Sequence, residues 1–140
     1  VAGRRVAGAA VCLACAGILG VAAWLTPDAS GLGTHRQLGL PACGWVHGLG
    51  IPCPTCGMTT AFAAAADGHF LGSMRAQPLG FVLAIATGMT AVAAGYVAAT
   101  GSALGGHLVR LLDRRTGWAF LVLALASWGY RIVVHKGLLP

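Results

Sequence analysis

The sequence predicts an all-α integral membrane protein with three transmembrane helices and a short interfacial or re-entrant helix after a Cys-x2-Cys motif. Three observations predict it. Of the 140 residues, 57% are hydrophobic and only 9% are charged, whereas a water-soluble domain carries about 25% charged residues. Three apolar stretches reach the roughly 17–25 helical residues that a bilayer core requires. Aromatic and basic residues gather at the ends of those stretches, where headgroup anchors belong. The mean hydropathy of +0.79 fits one membrane domain over residues 1–140.

The first span covers residues 6–25, VAGAAVCLACAGILGVAAWL, with Arg4 and Arg5 before it and Trp24 near its end. A basic start and an apolar run also mark signal peptides. No small-residue cleavage site followed by a polar chain comes after it, however, and Cys12-Leu13-Ala14 does not suit a lipidated Cys15, so the segment is expected to be retained. Residues 26–56 form a glycine-rich loop. Within 57–78 the apolar run from Met58 to Ala66 is too short to span. A full span there would also put Asp67 and His69 in hydrocarbon, at a cost of about 3 kcal/mol or more per charge. An interfacial or re-entrant helix ended by Gly68, with a second short turn returning Arg75 to the surface, fits better; a fourth full span is the alternative. The second span, 79–100, follows Pro78. The third, 117–134, has Trp118 at its start and Trp128 and Tyr130 near its end, and Arg131 is expected to snorkel outward.

A net charge of +6 comes from nine Lys and Arg against three acids, Asp28, Asp67 and Asp113. The basic residues are scattered at the ends of apolar runs, which suits anionic headgroups and argues for the lipid bilayer, not nucleic acid, as the partner. Three spans place Arg4, Arg5, Arg110, Arg114 and Arg115 on one side and Arg36, Arg75, Arg131 and Lys136 on the other. The first group occupies shorter segments, which puts the N-terminus in the cytoplasm. The expected location is a bacterial inner membrane, with the loop 26–56 extracytoplasmic, where disulfides are permitted.

That loop holds most of the chemistry, and three readings of it stay open. As ligands, Cys43-x3-His47-x5-Cys53-x2-Cys56 offers three thiolates and an imidazole, a tetrahedral donor set for zinc, with copper as the other candidate. As a redox pair, Cys53 and Cys56 flank Pro54, which suits the first turn of a helix. Cys53 would then lie at a helix N-terminus, where a thiolate is favoured. Gly57 weakens such a helix, and no thioredoxin-like strand pattern surrounds it. As a structural clip, Cys53 and Cys56 pair with each other, or Cys43 pairs with one of them.

Other candidates are less specific. Cys12 and Cys15 read as small apolar packing residues of the first span. His69 and His107 are expected in interfacial turns and His135 beside Lys136, all as headgroup contacts. A phosphate-cradling glycine loop, paired carboxylates and a Ser-His-Asp set are all missing from the sequence, which argues against hydrolytic catalysis. Ala84-x3-Gly88 and Ala91-x3-Gly95 in the second span permit close helix packing, within the chain or against other membrane subunits.

Cys53-Pro54-Thr55-Cys56-Gly57-Met58-Thr59-Thr60-Ala61 resembles the C-P-x-C-G-x-T-R-A signature of a bacterial membrane family catalogued as domain of unknown function 2752. Asp67-Gly68-His69-Phe70 stands where that family has a Gly-Asp turn, Gln77-Pro78-Leu79 is similar to its Asn-Pro-Leu entry to the next span, and Cys43 matches an upstream cysteine. The resemblance covers roughly residues 40–100. Thr60 replaces the usual arginine and His69 the usual aspartate. The family name strengthens the membrane and motif assignments and supplies no function. The expected role is a non-catalytic accessory or scaffold subunit of a larger membrane complex, with the cysteine loop as a folded cap. A metal-binding membrane protein using Cys43, His47, Cys53 and Cys56 and a thiol-disulfide oxidoreductase using Cys53 and Cys56 are the alternatives.

Overall fold

The computed structural model describes residues 1–110 and 113–137, the side chains of 107 and 108 excepted. The helices among the described residues are α1 (Ala2–Trp24), α2 (Gly44–Leu49), α3 (Met58–Ala66), α4 (Phe70–Ala76), α5 (Pro78–Thr100), α6 (Leu104–Arg110) and α7 (Arg114–His135), with a 3-10 helix at Thr34–Leu38 before α2. No strand occurs among the described residues. Three helices, α1, α5 and α7, are long and apolar enough to cross a membrane. His107, expected in a turn, belongs to α6, and its side chain lies outside the described residues.

The long helices begin and end where the backbone chemistry allows. α5 opens with Pro78 at its first position, where a missing N–H costs nothing. It closes on Gly101 at φ +72°. α7 starts three residues before the expected span because Asp113 caps it, accepting from the Thr116 amide at 3.0 Å.

α1 and α5 pack antiparallel through small residues. A Cβ at Gly8 would stand 2.8 Å from the Ala98 nitrogen and 2.9 Å from the Ala94 carbonyl oxygen, and one at Gly95 3.5 Å from the Cys12 sulfur. Of the two small-x3-small pairs, Ala91-Gly95 thus serves contact within the chain, and Cys12 is one of the residues it meets.

α3 and α4 form a hairpin beside this pair. α3 ends in a Schellman turn: the His69 amide donates to the Ala64 carbonyl at 2.8 Å and the Gly68 amide to Ala65 at 3.1 Å, with Gly68 at φ +80°. Its nine residues extend about 14 Å, less than half of a bilayer core. α3 is therefore not a fourth span. Ala61, Ala63 and Ala64 are buried, and a Cβ at Gly80 of α5 would fall 2.7 Å from the Cβ of Ala61. The chain returns through α4, where the Ser73 hydroxyl donates to the Ala61 carbonyl at 2.6 Å. This second helix was expected only as a turn.

α7 engages the rest of the chain through its C-terminal half. The Leu79 amide at the start of α5 donates to the Ser127 hydroxyl at 3.1 Å. Its first half carries exposed Trp118, Phe120, Leu121, Val122 and Leu125. The C-terminus of α1, the N-terminus of α5 and the C-terminus of α7 thus share one end of the bundle, capped by residues 26–77.

The close approach at Gly8 predicts that Gly8→Val, which meets backbone atoms, loses about 1–3 kcal/mol of stability. Gly17→Ala has nothing within 4 Å of the added carbon and is expected to be neutral. Denaturant unfolding of both variants in micelles measures the difference.

Candidate functional site

The cap is an irregular backbone fastened by buried side chains. Gln77, fully buried, donates through Nε2 to the Pro54 carbonyl at 3.0 Å. Trp128 of α7 donates to the Pro52 carbonyl at 3.0 Å and meets Trp45 of α2 edge to face, centroids 6.4 Å apart. Thr60 and Thr34, both buried, share a hydroxyl contact of 2.8 Å, and Thr34 accepts from the Asp28 amide at 2.9 Å. Thr60, where the resembled family has arginine, is thus a structural hydroxyl here.

A guanidinium reaches the motif from elsewhere. Arg131 of α7 was expected to snorkel outward, but it is only 4% exposed. It turns into the cap, where its Nη2 donates to the Gly31 carbonyl at 3.3 Å. Gly31 (φ +73°) and Gly57 (φ +90°) leave it room. A Cβ at Gly57 would stand 2.8 Å from the Ala76 carbonyl oxygen and 3.0 Å from that of Gly31, so glycine is required there for conformation and for space.

The positive φ of Gly57 also decides where α3 begins. Residues 53–56 form a turn closed by the Cys56 amide on the Cys53 carbonyl at 3.0 Å, and α3 starts at Met58. Pro54 therefore does not open a helix, and Cys53 is not at a helix N-terminus as the redox reading required. Cys43 holds that kind of position instead, as the residue before α2.

Three of the four expected ligands converge. The sulfurs of Cys43, Cys53 and Cys56 all lie within 4.8 Å of one another, with Cys53 and Cys56 3.0 Å apart. A tetrahedral zinc with Zn–S near 2.3 Å sets sulfurs about 3.8 Å apart, so small side-chain adjustments bring the trio to coordinating distance. His47 is exposed and outside the group. Four residues apart on a regular helix, Cys43 and His47 would share a face. Cys43, however, precedes α2 with φ −60° and ψ 117°, and this non-helical backbone breaks that register.

The three thiols differ electrostatically. Burial resists ionisation of Cys43, but hydrogen bonds from Cys56, from the Val46 and Cys53 backbone and from the Cys53 thiol outweigh it and bring its pKa to about 6. Burial, then hydrogen bonds with Cys53 and Cys43, push Cys56 up to about 12. The reduced group therefore carries a thiolate at Cys43 at neutral pH, shared by hydrogen bonds with its neighbours. Sequence reasoning missed Gln77, Trp128 and Arg131 as parts of this site.

Because the folded pKa of Cys43 is depressed, its ionisation stabilises the fold above the ordinary thiol pKa, and that contribution disappears as pH falls through about 6. In reduced, metal-free protein, alkylation at Cys43 is expected to stay nearly constant between about pH 7 and 9 and to fall below about pH 6, with Cys56 slow throughout. Residue-resolved alkylation rates by mass spectrometry check this.

The family described as "Protein of unknown function (DUF2752)" matches residues 43–91, a stretch that contains all three cysteines, α3, α4 and the first half of α5. No curated protein and no solved structure matches the chain significantly. Over residues 43–91 the chain is thus similar to that family, as its motif implied, while α1 and α7, which contributes Trp128 and Arg131, lie outside the match.

Proposed function

We propose that this is a non-catalytic, multi-pass membrane protein whose cap holds one thiophilic metal ion, zinc or copper, through Cys43, Cys53 and Cys56. The carrying observation is the convergence of three sulfurs within 4.8 Å. A disulfide clip engages two thiols and gives no reason for a third to approach. Three protein ligands leave one coordination position for water or a donor from elsewhere. The reading places the cap on the extracytoplasmic face of a bacterial inner membrane, with the N-terminus cytoplasmic.

An accessory role in a larger membrane complex is compatible with this reading and has its own support. The first half of α7 is apolar and exposed, and although Ala84 is buried, Gly88 of the Ala84-x3-Gly88 pair has nothing within 4 Å of its would-be side chain. Both surfaces suit neighbouring subunits or lipid. The thiol-disulfide alternative loses its physical basis at Cys53, which is not at a helix N-terminus.

The test is metal content of protein purified without added chelator. About one equivalent of zinc or copper is expected, lost in Cys43→Ser, Cys53→Ser and Cys56→Ser and retained in His47→Ala. Metal-free protein with Cys53 and Cys56 protected from alkylation until reduced would overturn the metal site in favour of a disulfide.

A further inference from the structure

Arg131 presents an electrostatic problem that the fold alone does not solve. It is 4% exposed; among the described residues its Nε is buried without a hydrogen-bond partner, and its Nη2 donates to a backbone carbonyl. A buried cation without a counter-charge costs several kcal/mol. The chain has three acids to draw on, Asp28, Asp67 and Asp113, and among the described residues none forms an ion pair with Arg131. Asp28 is bonded to Ser30, Asp113 caps α7 at the opposite end from Arg131, and Asp67 lies at the far end of the α3–α4 hairpin.

Among the described residues, the groups beside Arg131 that can carry negative charge are its neighbour Tyr130, whose phenol donates to the Arg75 carbonyl at 3.3 Å, and the thiol of Cys56. The Arg131 Nε lies against Gly57, 3.4 Å from where a Cβ would be. Gly57 follows Cys56 directly, and Cys56 interacts with the guanidinium electrostatically. Resting on the metal reading above, we propose that Arg131 is the charge-compensating residue of the thiolate site and that the site takes a divalent thiophilic cation of the zinc class. Three thiolates, one guanidinium and a divalent ion sum to zero net charge. A monovalent ion leaves one net negative charge beside the buried Cys56. Low-dielectric surroundings penalise that residual charge, and the neutral combination avoids it.

This account separates Arg131 from a purely structural residue, because its contribution is made in the metal-bound state. The experiment uses the reduced full chain in micelles, as wild type, Arg131→Gln and Arg131→Lys. Zinc affinity is measured by competition with a chelator, cobalt binding by thiolate-to-cobalt charge-transfer absorption, and thermal stability with and without metal. Arg131→Gln is expected to weaken zinc binding by about tenfold or more, as loss of a buried charge partner implies. Arg131→Lys is expected to restore most of it, and apo Arg131→Gln to be no less stable than apo wild type. Unchanged zinc affinity in Arg131→Gln would overturn the proposal, as would an equal loss in both variants or a drop in apo stability large enough to explain the weaker binding. Wild type that gives no charge-transfer band and binds no zinc would instead defeat the metal reading itself, and this inference with it.

Discussion

Irregular backbone packed against the end of a helix bundle must find hydrogen-bond partners within the protein wherever it is shut off from water, because each unsatisfied buried group is costly. The turn from Pro52 to Gly57 is that backbone, and the cap is organised around satisfying it. The carbonyls of Pro52 and Pro54 accept from Trp128 and Gln77, and the neighbouring Gly31 carbonyl accepts from Arg131. Each donor sits at the cap end of a long helix, so the same hydrogen bonds that hold the cysteine turn also tie it to α5 and α7. The small-residue contact of α1 with α5 supplies the platform on which this happens.

The same constraint gathers the thiols. The 53–56 turn needs Gly57 in a left-handed conformation, and Gly57 in turn leaves space for Ala76, Gly31 and the Arg131 side chain. With that turn fixed and α2 held by the Trp45–Trp128 contact, Cys43 is carried to within reach of Cys53 and Cys56. The three-sulfur cluster is thus a consequence of how the cap closes over the helix ends. Its sulfur donors are soft, and the guanidinium of Arg131 lies against Gly57, the residue after Cys56.

What could be read from sequence followed from local pattern. Hydropathy and length located the three long helices to within a few residues, and the shortness of the Met58–Ala66 run together with Gly68 anticipated a short helix that does not span. The Cys-x2-Cys motif and the upstream Cys43 named the three cysteines whose sulfurs the fold brings together. What could not be read depends on contacts between residues far apart in the chain. Trp128 and Arg131 stand near the end of a span, where an aromatic and a cation ordinarily meet headgroups. Their partners Pro52 and Gly31 are 76 and 100 residues away, and no local pattern announces them. His47 stands outside the sulfur cluster for a local reason, since a four-residue spacing implies a shared face only if the helix includes both residues, and α2 begins after Cys43.

The most direct measurement is X-ray absorption fine structure at the zinc edge of the zinc-loaded full chain. The account predicts three sulfur neighbours at about 2.3 Å and one lighter donor at about 2.0–2.1 Å. A first shell of nitrogen and oxygen alone would contradict it, because the three converging thiols would then hold no metal.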